Sequence, residues 1–214
     1  KEYRRQRQMC IRDWDNAYAD ADTTKLGWYQ KEHAVSMDLI SSCDGNRVID
    51  VGAGATTLID SLAENGYDVT VLDISSEALR ILSNRHGTNL QYINGDLSKA
   101  LELGEYEIWH DRAVLHFLLN QDDREQYVSN LESCIPSGGF AVIETFSTDG
   151  AKMCCGLDLH TYDEDMLVDL LGNNWVLVDS IRHTHINPFG GERPYICLLY
   201  TSDAADDTPC VDLG

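Results

Sequence analysis

The stretch VIDVGAGATT at residues 48–57 constrains the fold of this chain more than any other. Its apolar first half predicts a buried strand, and Gly52 and Gly54 predict a tight turn that opens a helix. Such a turn brings the backbone close to a ligand, and the first N–H groups of the helix lack intrahelical partners. A second predicted strand ends at Asp73, whose carboxylate can accept from ribose hydroxyls. Together these features predict a nucleoside site.

The residues around the turn distinguish between two kinds of nucleoside cofactor. A dinucleotide fingerprint has a third glycine three residues after the second, because the helix must pack closely beside a pyrophosphate, and here that position is Thr57. Asp50 would repel a pyrophosphate, but it can accept from a cationic amino acid group. The pattern therefore favours S-adenosylmethionine (SAM) over NAD and disfavours an NAD-dependent oxidoreductase.

From residue 47 to residue 146, apolar runs alternate with helical stretches. Predicted strands lie at 47–51, 68–72, 90–93, 106–110 and 139–146, and predicted helices at 56–65, 75–85 and 121–134. A later helix at 161–171 precedes two strands at 174–182 and 194–201, which are joined by a linker at 183–193. This alternation predicts an α/β fold, a doubly wound, mainly parallel seven-strand sheet with a closing antiparallel hairpin.

The length and the 43% hydrophobic content fit one domain with a substantial core. We expect it to span residues 1–200, with 1–46 as an N-terminal helical lid segment that contains helices over 1–22 and 33–41. Residues 201–214 have no apolar periodicity, so we expect an acidic, solvated tail.

Five blocks of sequence resemble the class I (seven-strand, Rossmann-like) SAM-dependent methyltransferases, over roughly residues 13–200. Beyond the glycine turn, they are VTVLDISSEAL at 69–79, LQYINGDLSKA at 90–100, YEIWHDRAVLHFL at 106–118 and IPSGGFAVIETF at 135–146. A closer resemblance, to small methyltransferases related to seven-strand lysine methyltransferases, lies in WDNAY at 14–18, WYQ at 28–30 and HDRAVLHF at 110–117. The HDRA stretch departs from the Asp-Lys-Gly block of the lysine enzymes at Arg112 and Ala113.

The resemblance implies SAM as cofactor, S-adenosylhomocysteine (SAH) as product, and a site at the carboxyl ends of the strands. The predicted cofactor residues are Trp14, Tyr29, Asp50, Gly52, Gly54, Asp73, Ile74, Asp96, Leu97 and His110. The predicted catalytic residues are His110, Asp111 and Arg112, and the predicted substrate residues are Trp28, Tyr29, His116 and His185. We predict no metal site, because the Cys154–Cys155 and His183–His185 pairs lack further ligands at suitable spacing.

Several of these side chains have two possible roles. His110 and Asp111 could accept a proton, which is needed only if the acceptor arrives protonated. Arg112 could bind a substrate carboxylate, or it could pair with Asp111 or a neighbouring glutamate. The aromatic residues of the N-terminal segment could close over the sulfonium of SAM, or they could only pack that segment onto the domain.

The net charge of −20 restricts the partner. It disfavours nucleic acid and attracts cationic molecules or basic segments, so we expect a small-molecule or basic protein acceptor. Protein-lysine methylation and a non-catalytic SAM-binding partner protein are the alternatives. The absence of an 18-residue apolar run and the seven irregularly spaced cysteines indicate no membrane span and a cytoplasmic protein. A mitochondrial location, after loss of a targeting peptide, and the oligomeric state stay open.

Overall fold

A computed structural model describes residues 14–19, 22–154 and 156–202. The strands are β1 Arg47–Val51, β2 Asp68–Asp73, β3 Gln91–Asn94, β4 Ile108–Arg112, β5 Phe140–Phe146, β6 Met153–Cys154, β7 Leu157–Asp158, β8 Trp175–Ile186 and β9 Glu192–Ser202. The helices are α1 at residues 14–19, α2 Ala34–Ser41, α3 Leu58–Glu64, α4 Ser76–His86, α5 Gln121–Cys134 and α6 Glu164–Leu171. Short 3-10 turns lie at Thr23–Lys25, Gly87–Asn89, Leu115–Phe117 and Gly172–Asn174.

Seven strands form one sheet in the order β3-β2-β1-β4-β5-β9-β8. Strands β1 to β5 pair in parallel, and β9 pairs antiparallel with both β5 and β8. This confirms the predicted parallel sheet with a closing antiparallel hairpin. The strand order reverses between β1 and β4, which opens a crevice at the carboxyl ends of the strands.

The central strands are buried because helices cover both faces of the sheet. Ile49 on β1 and Trp109 on β4 are fully buried in one cluster, and Val48 and Ile108 are fully buried in another. Such continuous apolar runs are typical of parallel sheets. Helix α4 begins as predicted, because the Ser75 hydroxyl accepts from Ala78 N at 3.2 Å.

The C-terminal hairpin is longer than predicted. Strand β8 continues to Ile186 and β9 begins at Glu192, so most of the expected 183–193 linker is strand. The intervening turn is closed by Asn187, whose Oδ1 accepts from Phe189 N at 2.9 Å and Gly191 N at 2.8 Å. The His, Gly and Pro content of this stretch obscured the strand pattern, although His183 and His185 lie on one face and both contact Tyr195.

Other predicted elements also differ from the structure. Strand β4 lies at Ile108–Arg112 rather than 106–110, and α6 begins at Glu164 rather than at residue 161. The predicted helix over 1–22 is helical at 14–19, whereas Asp22 instead caps the following 3-10 turn, and the rest of that range lies outside the described residues. The small β6–β7 pair was not predicted, because two-residue strands have no readable period. Residues 201–202 belong to β9 rather than to the tail, and 203–214 lie outside the described residues.

Within the described ranges, no helix is both long enough and apolar enough to cross a membrane.

Candidate active site

A cavity of about 400 Å³ lies at the carboxyl ends of the parallel strands, a size typical of small-molecule sites. One end, the glycine-turn half, lies beside β1, β2 and β3 and is lined by Gly52, Gly54, Asp73, Ile74, Asp96 and Leu97. The other end, the arginine half, extends towards β4, β5 and β9 and is lined by Arg112, His116, Phe146, Cys154 and Tyr195. The N-terminal segment and the β6–β7 pair also contribute to the lining.

The glycine turn has the backbone that its sequence predicted. Gly52 and Gly54 have φ values of 66° and 56°, in the left-handed region that favours glycine. A Cβ at Gly52 would overlap the Val114 side chain, and a Cβ at Gly54 would overlap the Tyr18 hydroxyl. Protein atoms therefore already exclude larger residues at both positions. A Gly52→Val substitution would therefore strain the folded domain as well as interfere with a ligand.

Two backbone N–H groups, one after β1 and one after β2, hold the Asp73 carboxylate at the edge of the cavity. Its Oδ2 accepts from Gly54 N at 2.7 Å, and its Oδ1 accepts from Ser75 N at 2.7 Å. Burial raises the pKa of Asp73 to about 6, which is partly offset by these two hydrogen bonds. Because each carboxylate oxygen can accept two hydrogen bonds, each retains capacity for one more donor. This arrangement fits the two adjacent hydroxyls of a ribose.

His110 lines the cavity, but both of its ring nitrogens are engaged. Nδ1 lies 2.6 Å from Asp50 Oδ1, and Nε2 lies 3.0 Å from Ser36 Oγ, with all three side chains buried. In this arrangement the imidazole has no free nitrogen to receive a proton from an acceptor. The geometry therefore does not support His110 as the base, and it makes His110 a residue that positions Asp50.

Asp111 is not among the residues that line the cavity. Its carboxylate accepts from Val114 N at 2.9 Å, Leu115 N at 3.1 Å and Tyr127 Oη at 2.8 Å. Burial raises its pKa to about 7. These bonds close the turn after β4, in which Ala113 has a φ of 71°. The structure does not support direct catalysis by Asp111, which instead shapes the turn between Arg112 and His116.

Arg112 forms a buried ion pair in the arginine half. Its Nε lies 3.2 Å from Glu144 Oε1, and its guanidinium lies over the Tyr195 ring, with Cζ 5.9 Å from the ring centroid. Pairing with a neighbouring glutamate was one of the two predicted roles. Burial would raise the pKa of Glu144, but the contact with His183 Nε2 at 3.4 Å and the charge of Arg112 outweigh it and lower the pKa to about 2. Glu144 is therefore ionised at neutral pH.

His116 lines the arginine half and is fully buried. Its Nδ1 lies 3.1 Å from Thr145 Oγ1 and accepts from Phe146 N at 3.5 Å. Its Nε2 has no hydrogen-bond partner among the described residues. Burial, reinforced by the charge of Arg112, lowers the pKa of His116 to about 3, so the ring is neutral at physiological pH.

His185 lies apart from this cavity. It borders a separate cleft with Thr24, Lys31 and Pro188, and its ring makes an edge contact with Tyr195 over 6.3 Å between centroids. Tyr29 borders both the cleft and the main cavity. The structure therefore brings His116, Trp28 and Tyr29 to the cavity, but not His185.

The aromatic N-terminal segment both packs on the domain and lines the cavity. Trp14 makes edge contacts with Trp28 at 5.2 Å and with Phe117 at 5.4 Å between ring centroids, and Trp28 Nε1 donates to Tyr18 Oη at 2.9 Å. Asp15 Oδ1 accepts from Ser75 Oγ at 2.7 Å, which ties α1 to the start of α4. The two roles considered for these residues are thus compatible.

Comparison with known proteins finds a family match over the part of the chain that contains the glycine turn. Residues 48–139 match the family described as a methyltransferase domain. This stretch contains the glycine turn, Asp73, Asp96 and the end of β4. Residues 48–139 thus resemble a methyltransferase domain, and the seven-strand sheet that contains them has a Rossmann-like methyltransferase fold.

Two curated relatives are bacterial methyltransferases. A ubiquinone biosynthesis O-methyltransferase of Cupriavidus pinatubonensis is 26% identical over 78% of this chain and 59% of its own length. A demethylmenaquinone methyltransferase of Renibacterium salmoninarum is 27% identical over 59% of this chain and 52% of its own length. The chain thus spans somewhat over half the length of these curated relatives.

A solved structure extends the likeness to nearly the whole methyltransferase fold. The 1,6-didemethyltoxoflavin-N1-methyltransferase of Burkholderia thailandensis, solved with 1,6-didemethyltoxoflavin and SAH, has a TM-score of 0.70 and 19% identity. The match covers 94% of this chain and 90% of that one. At this identity the likeness establishes the fold.

SAM is the cofactor of this methyltransferase class, and the glycine-turn half offers suitable groups for it. Asp73 has free acceptor capacity for the ribose, and Asp50 supplies a carboxylate for a cationic amino acid group. Asp96 and Leu97 line the same half, where we predicted contacts with adenine. These individual contacts stay predictions.

Sequence reasoning missed several residues that line or adjoin this cavity. They are Phe146, Cys154 and Tyr195 in the lining, with Glu144 beside Arg112. Glu144 could have been found, because it is a single charge near the end of an apolar strand, as Asp73 is. Tyr195 and Cys154 follow no motif, and only the folded topology of β9 and the β6–β7 pair brings them to the site.

Proposed function

We propose that this protein transfers the methyl group of SAM to a nucleophilic atom of a small molecule held in the arginine half of the cavity, and that SAH is released. When bound, SAM supplies a methyl group on a sulfonium that departs as a neutral thioether. The observation that carries the proposal is the continuity of the cavity, because a predicted cofactor end and a second polar and aromatic end share one space.

The residues would act mainly by placement and by excluding water. An in-line displacement on a methyl group needs two aligned reactants more than it needs acid or base, since the leaving group requires no proton. Trp14, Trp28 and Phe117 form an edge-packed wall beside the glycine turn. Their ring faces suit the positive charge of a sulfonium, and their bulk keeps water away from the reacting atoms.

A small-molecule acceptor is favoured over a protein side chain. The relatives described above are named for ubiquinone biosynthesis, demethylmenaquinone and 1,6-didemethyltoxoflavin. They lend no support to the lysine alternative, and the aromatic wall and the β6–β7 pair enclose part of the cavity. A non-catalytic SAM-binding partner protein would have the same cofactor site, and only the absence of SAH formation would distinguish it.

Two measurements test the proposal. Calorimetry with SAM and SAH should show a single site, and Asp73→Ala should weaken both ligands. Tritiated-methyl SAM incubated with a cell extract should then label the small-molecule fraction and form SAH. Binding without any SAH formation would support the non-catalytic alternative, label only in the protein fraction would support a protein acceptor, and no SAM binding would refute the cofactor assignment.

A further inference from the structure

The two halves of the cavity differ in charge, although the chain as a whole is strongly acidic. The carboxylates Asp50, Asp73 and Asp96 border the cofactor end. Among the described lining residues, Arg112 is the one lysine or arginine, and it lies in the other half. An overall charge of −20 suggests a basic acceptor, but this end of the cavity also offers the Arg112 guanidinium, which is paired with the ionised Glu144, and the Asp158 carboxylate lines the cavity as well.

Arg112 has hydrogen-bonding capacity that the protein does not use. Its guanidinium has five N–H donors, and only Nε lies close to Glu144. The terminal nitrogens Nη1 and Nη2 both donate to a single described acceptor, Trp28 O, each over a long 3.4 Å. Since the side chain is only 11% exposed, water cannot readily satisfy the remaining donors. A ligand with oxygen acceptors can.

His116 adds a second donor in the same half. A backbone N–H can only donate, so the contact from Phe146 N makes Nδ1 of His116 an acceptor. In the neutral ring the proton then resides on Nε2, which is the buried nitrogen without a described partner. Arg112 and His116 therefore both carry N–H groups in this half, but the His116 Nε2 is buried beneath the lining, whereas the Arg112 side chain is partly exposed.

The walls around these donors are aromatic. Phe146 and Tyr195 stack with a ring-centroid distance of 4.6 Å, and Phe117 packs against the His116 ring at 4.5 Å. Flat apolar walls with a few converging donors select a planar ring that carries oxygen.

Resting on the proposed function, we infer that the acceptor is a planar aromatic compound bound as an oxyanion, a phenolate or an aryl carboxylate, with its charged oxygen held by the terminal N–H groups of Arg112. The oxyanion forms the new bond to the methyl carbon while the carbon–sulfur bond breaks and its electron pair stays on sulfur. No proton is removed in that step. This explains why the arrangement tolerates a His110 with both nitrogens engaged and a His116 that is reluctant to take up a proton.

Arg112 is better placed for the acceptor than for the carboxylate of SAM. Its partners Glu144 and Tyr195 belong to β5 and β9, whereas Asp73 ends β2. Two strand spacings separate β2 from β4 in the sheet, which is about 10 Å. The guanidinium is therefore drawn towards β5 and β9 and away from Asp73, while the glycine turn itself follows β1, the neighbour of β4.

The test uses para-nitrophenol and the full chain saturated with SAH. At a pH equal to the probe's own pKa, half of the free probe is phenolate, and the absorbance of the phenolate shows which form is bound. We expect absorbance to rise on binding, and benzoate to displace the probe on the order of tenfold better than benzamide, because charge-assisted hydrogen bonds are the stronger ones. Arg112→Gln should abolish both preferences.

Two further variants control the experiment. Arg47→Gln removes the same charge at the opposite end of the sheet, where Arg47 pairs with Glu105, and should leave both preferences intact. Because Arg112→Gln leaves a buried Glu144 unpaired, Arg112→Gln/Glu144→Gln removes the whole ion pair and should lose the anion preference in a folded protein.

The outcomes separate the inference from the proposed function. Normal SAH binding without preference for the phenolate or benzoate overturns the anionic acceptor alone. A loss of SAH affinity in Arg112→Gln, with the anion preference retained, would assign Arg112 to the cofactor and also overturn it. Failure of the wild-type protein to bind SAH would overturn the proposed function itself.

Discussion

The two halves of the cavity are built in different ways. The glycine-turn half is assembled from residues close to strand ends, and its ligand groups are held by backbone N–H groups, as Asp73 is held by Gly54 and Ser75. The arginine half is assembled from side chains on distant parts of the chain, as Arg112 is held by Glu144. The first design depends on strand geometry that the fold supplies, whereas the second depends on a particular set of side chains.

This difference indicates where specificity is encoded. A cofactor that is common to a large family needs only the shared turn and a carboxylate at the end of β2. The acceptor must be recognised by groups that vary without disturbing that turn. Under the proposed function these groups are the lining residues of β4, β5 and β9 and of the loop before α5, at the far end of the same cavity.

The largest expected effect is a loss of SAH affinity when the glycine-turn half is altered. Asp73→Ala removes the acceptors for two ribose hydroxyls and should weaken SAH by about 2–3 kcal/mol, because charge-assisted hydrogen bonds in an enclosed site are lost. The control is Asp68→Ala, which removes an exposed carboxylate from the other end of the same strand. Calorimetry that finds equal SAH affinity in the two variants would remove Asp73 from the site.

The next expected effect is a pH dependence that originates in the arginine half. The pKa of His116 is lowered to about 3 in the folded protein, so between pH 6.5 and 3 the unfolded chain binds a proton that the folded chain does not. Stability should therefore fall as the pH falls through that window, by about 1.4 kcal/mol per pH unit for this one group. His116→Gln should reduce the slope of unfolding free energy against pH by that amount.

Part of the acid sensitivity should survive in His116→Gln. Burial also lowers the pKa of His33 to about 3 and that of His185 to about 4, so these groups act in the same direction. Chemical denaturation at a series of pH values is the measurement. An unchanged slope in His116→Gln would mean that His116 is accessible to a proton in the folded state, and that its buried, neutral description is wrong.

The same contrast explains what could be predicted from sequence. The fold and the glycine-turn half follow from local patterns, because apolar alternation fixes the strands and Gly52, Gly54 and Asp73 stand at their ends. The exact partners in the arginine half do not follow, since Glu144 and Tyr195 meet Arg112 only through the pairing of β4, β5 and β9. His110 at a strand end suggested a base, but its partner Ser36 comes from a helix 74 residues earlier.

A smaller effect, on turnover, is expected at the aromatic wall that the N-terminal segment adds to the cavity. Trp28→Ala/Tyr29→Ala removes the Trp14 ring contact, the hydrogen bond to Tyr18 and part of the cavity lining. Turnover should fall about tenfold, which corresponds to about 1.4 kcal/mol in the barrier. The measurement is SAH formation at saturating SAM. Phe189→Ala, at an aromatic side chain that is 75% exposed, should leave turnover unchanged. Full activity in the double variant would show that this segment only packs on the domain.

The smallest expected effect is on the free energy of unfolding, and it concerns the turn that follows β4 and Arg112. Ala113 has a φ of 71°, which costs an L-residue about 1–2 kcal/mol, and Ala113→Gly removes that cost. Glycine also gives the unfolded chain more freedom, which offsets about 0.4–1 kcal/mol of the gain. The net stabilisation should be about 0.5 kcal/mol, a rise in melting temperature of about 1–2 °C for a chain of this size.

The reverse change is available at Gly138, where φ is 81° and no other atom lies near an added Cβ, so Gly138→Ala should destabilise by about 1 kcal/mol through backbone strain alone. SAH affinity should be unchanged in Gly138→Ala, because Gly138 does not line the cavity. Ala113 does line it, next to Val114, so Ala113→Gly is judged by stability alone. A loss of stability in Ala113→Gly, with Gly138→Ala behaving as expected, would show that packing of the Ala113 methyl group outweighs the backbone strain at this residue. The turn would then be held by more than the Asp111 carboxylate and the hydrogen bond from Ala113 N to Glu144 O at 2.8 Å.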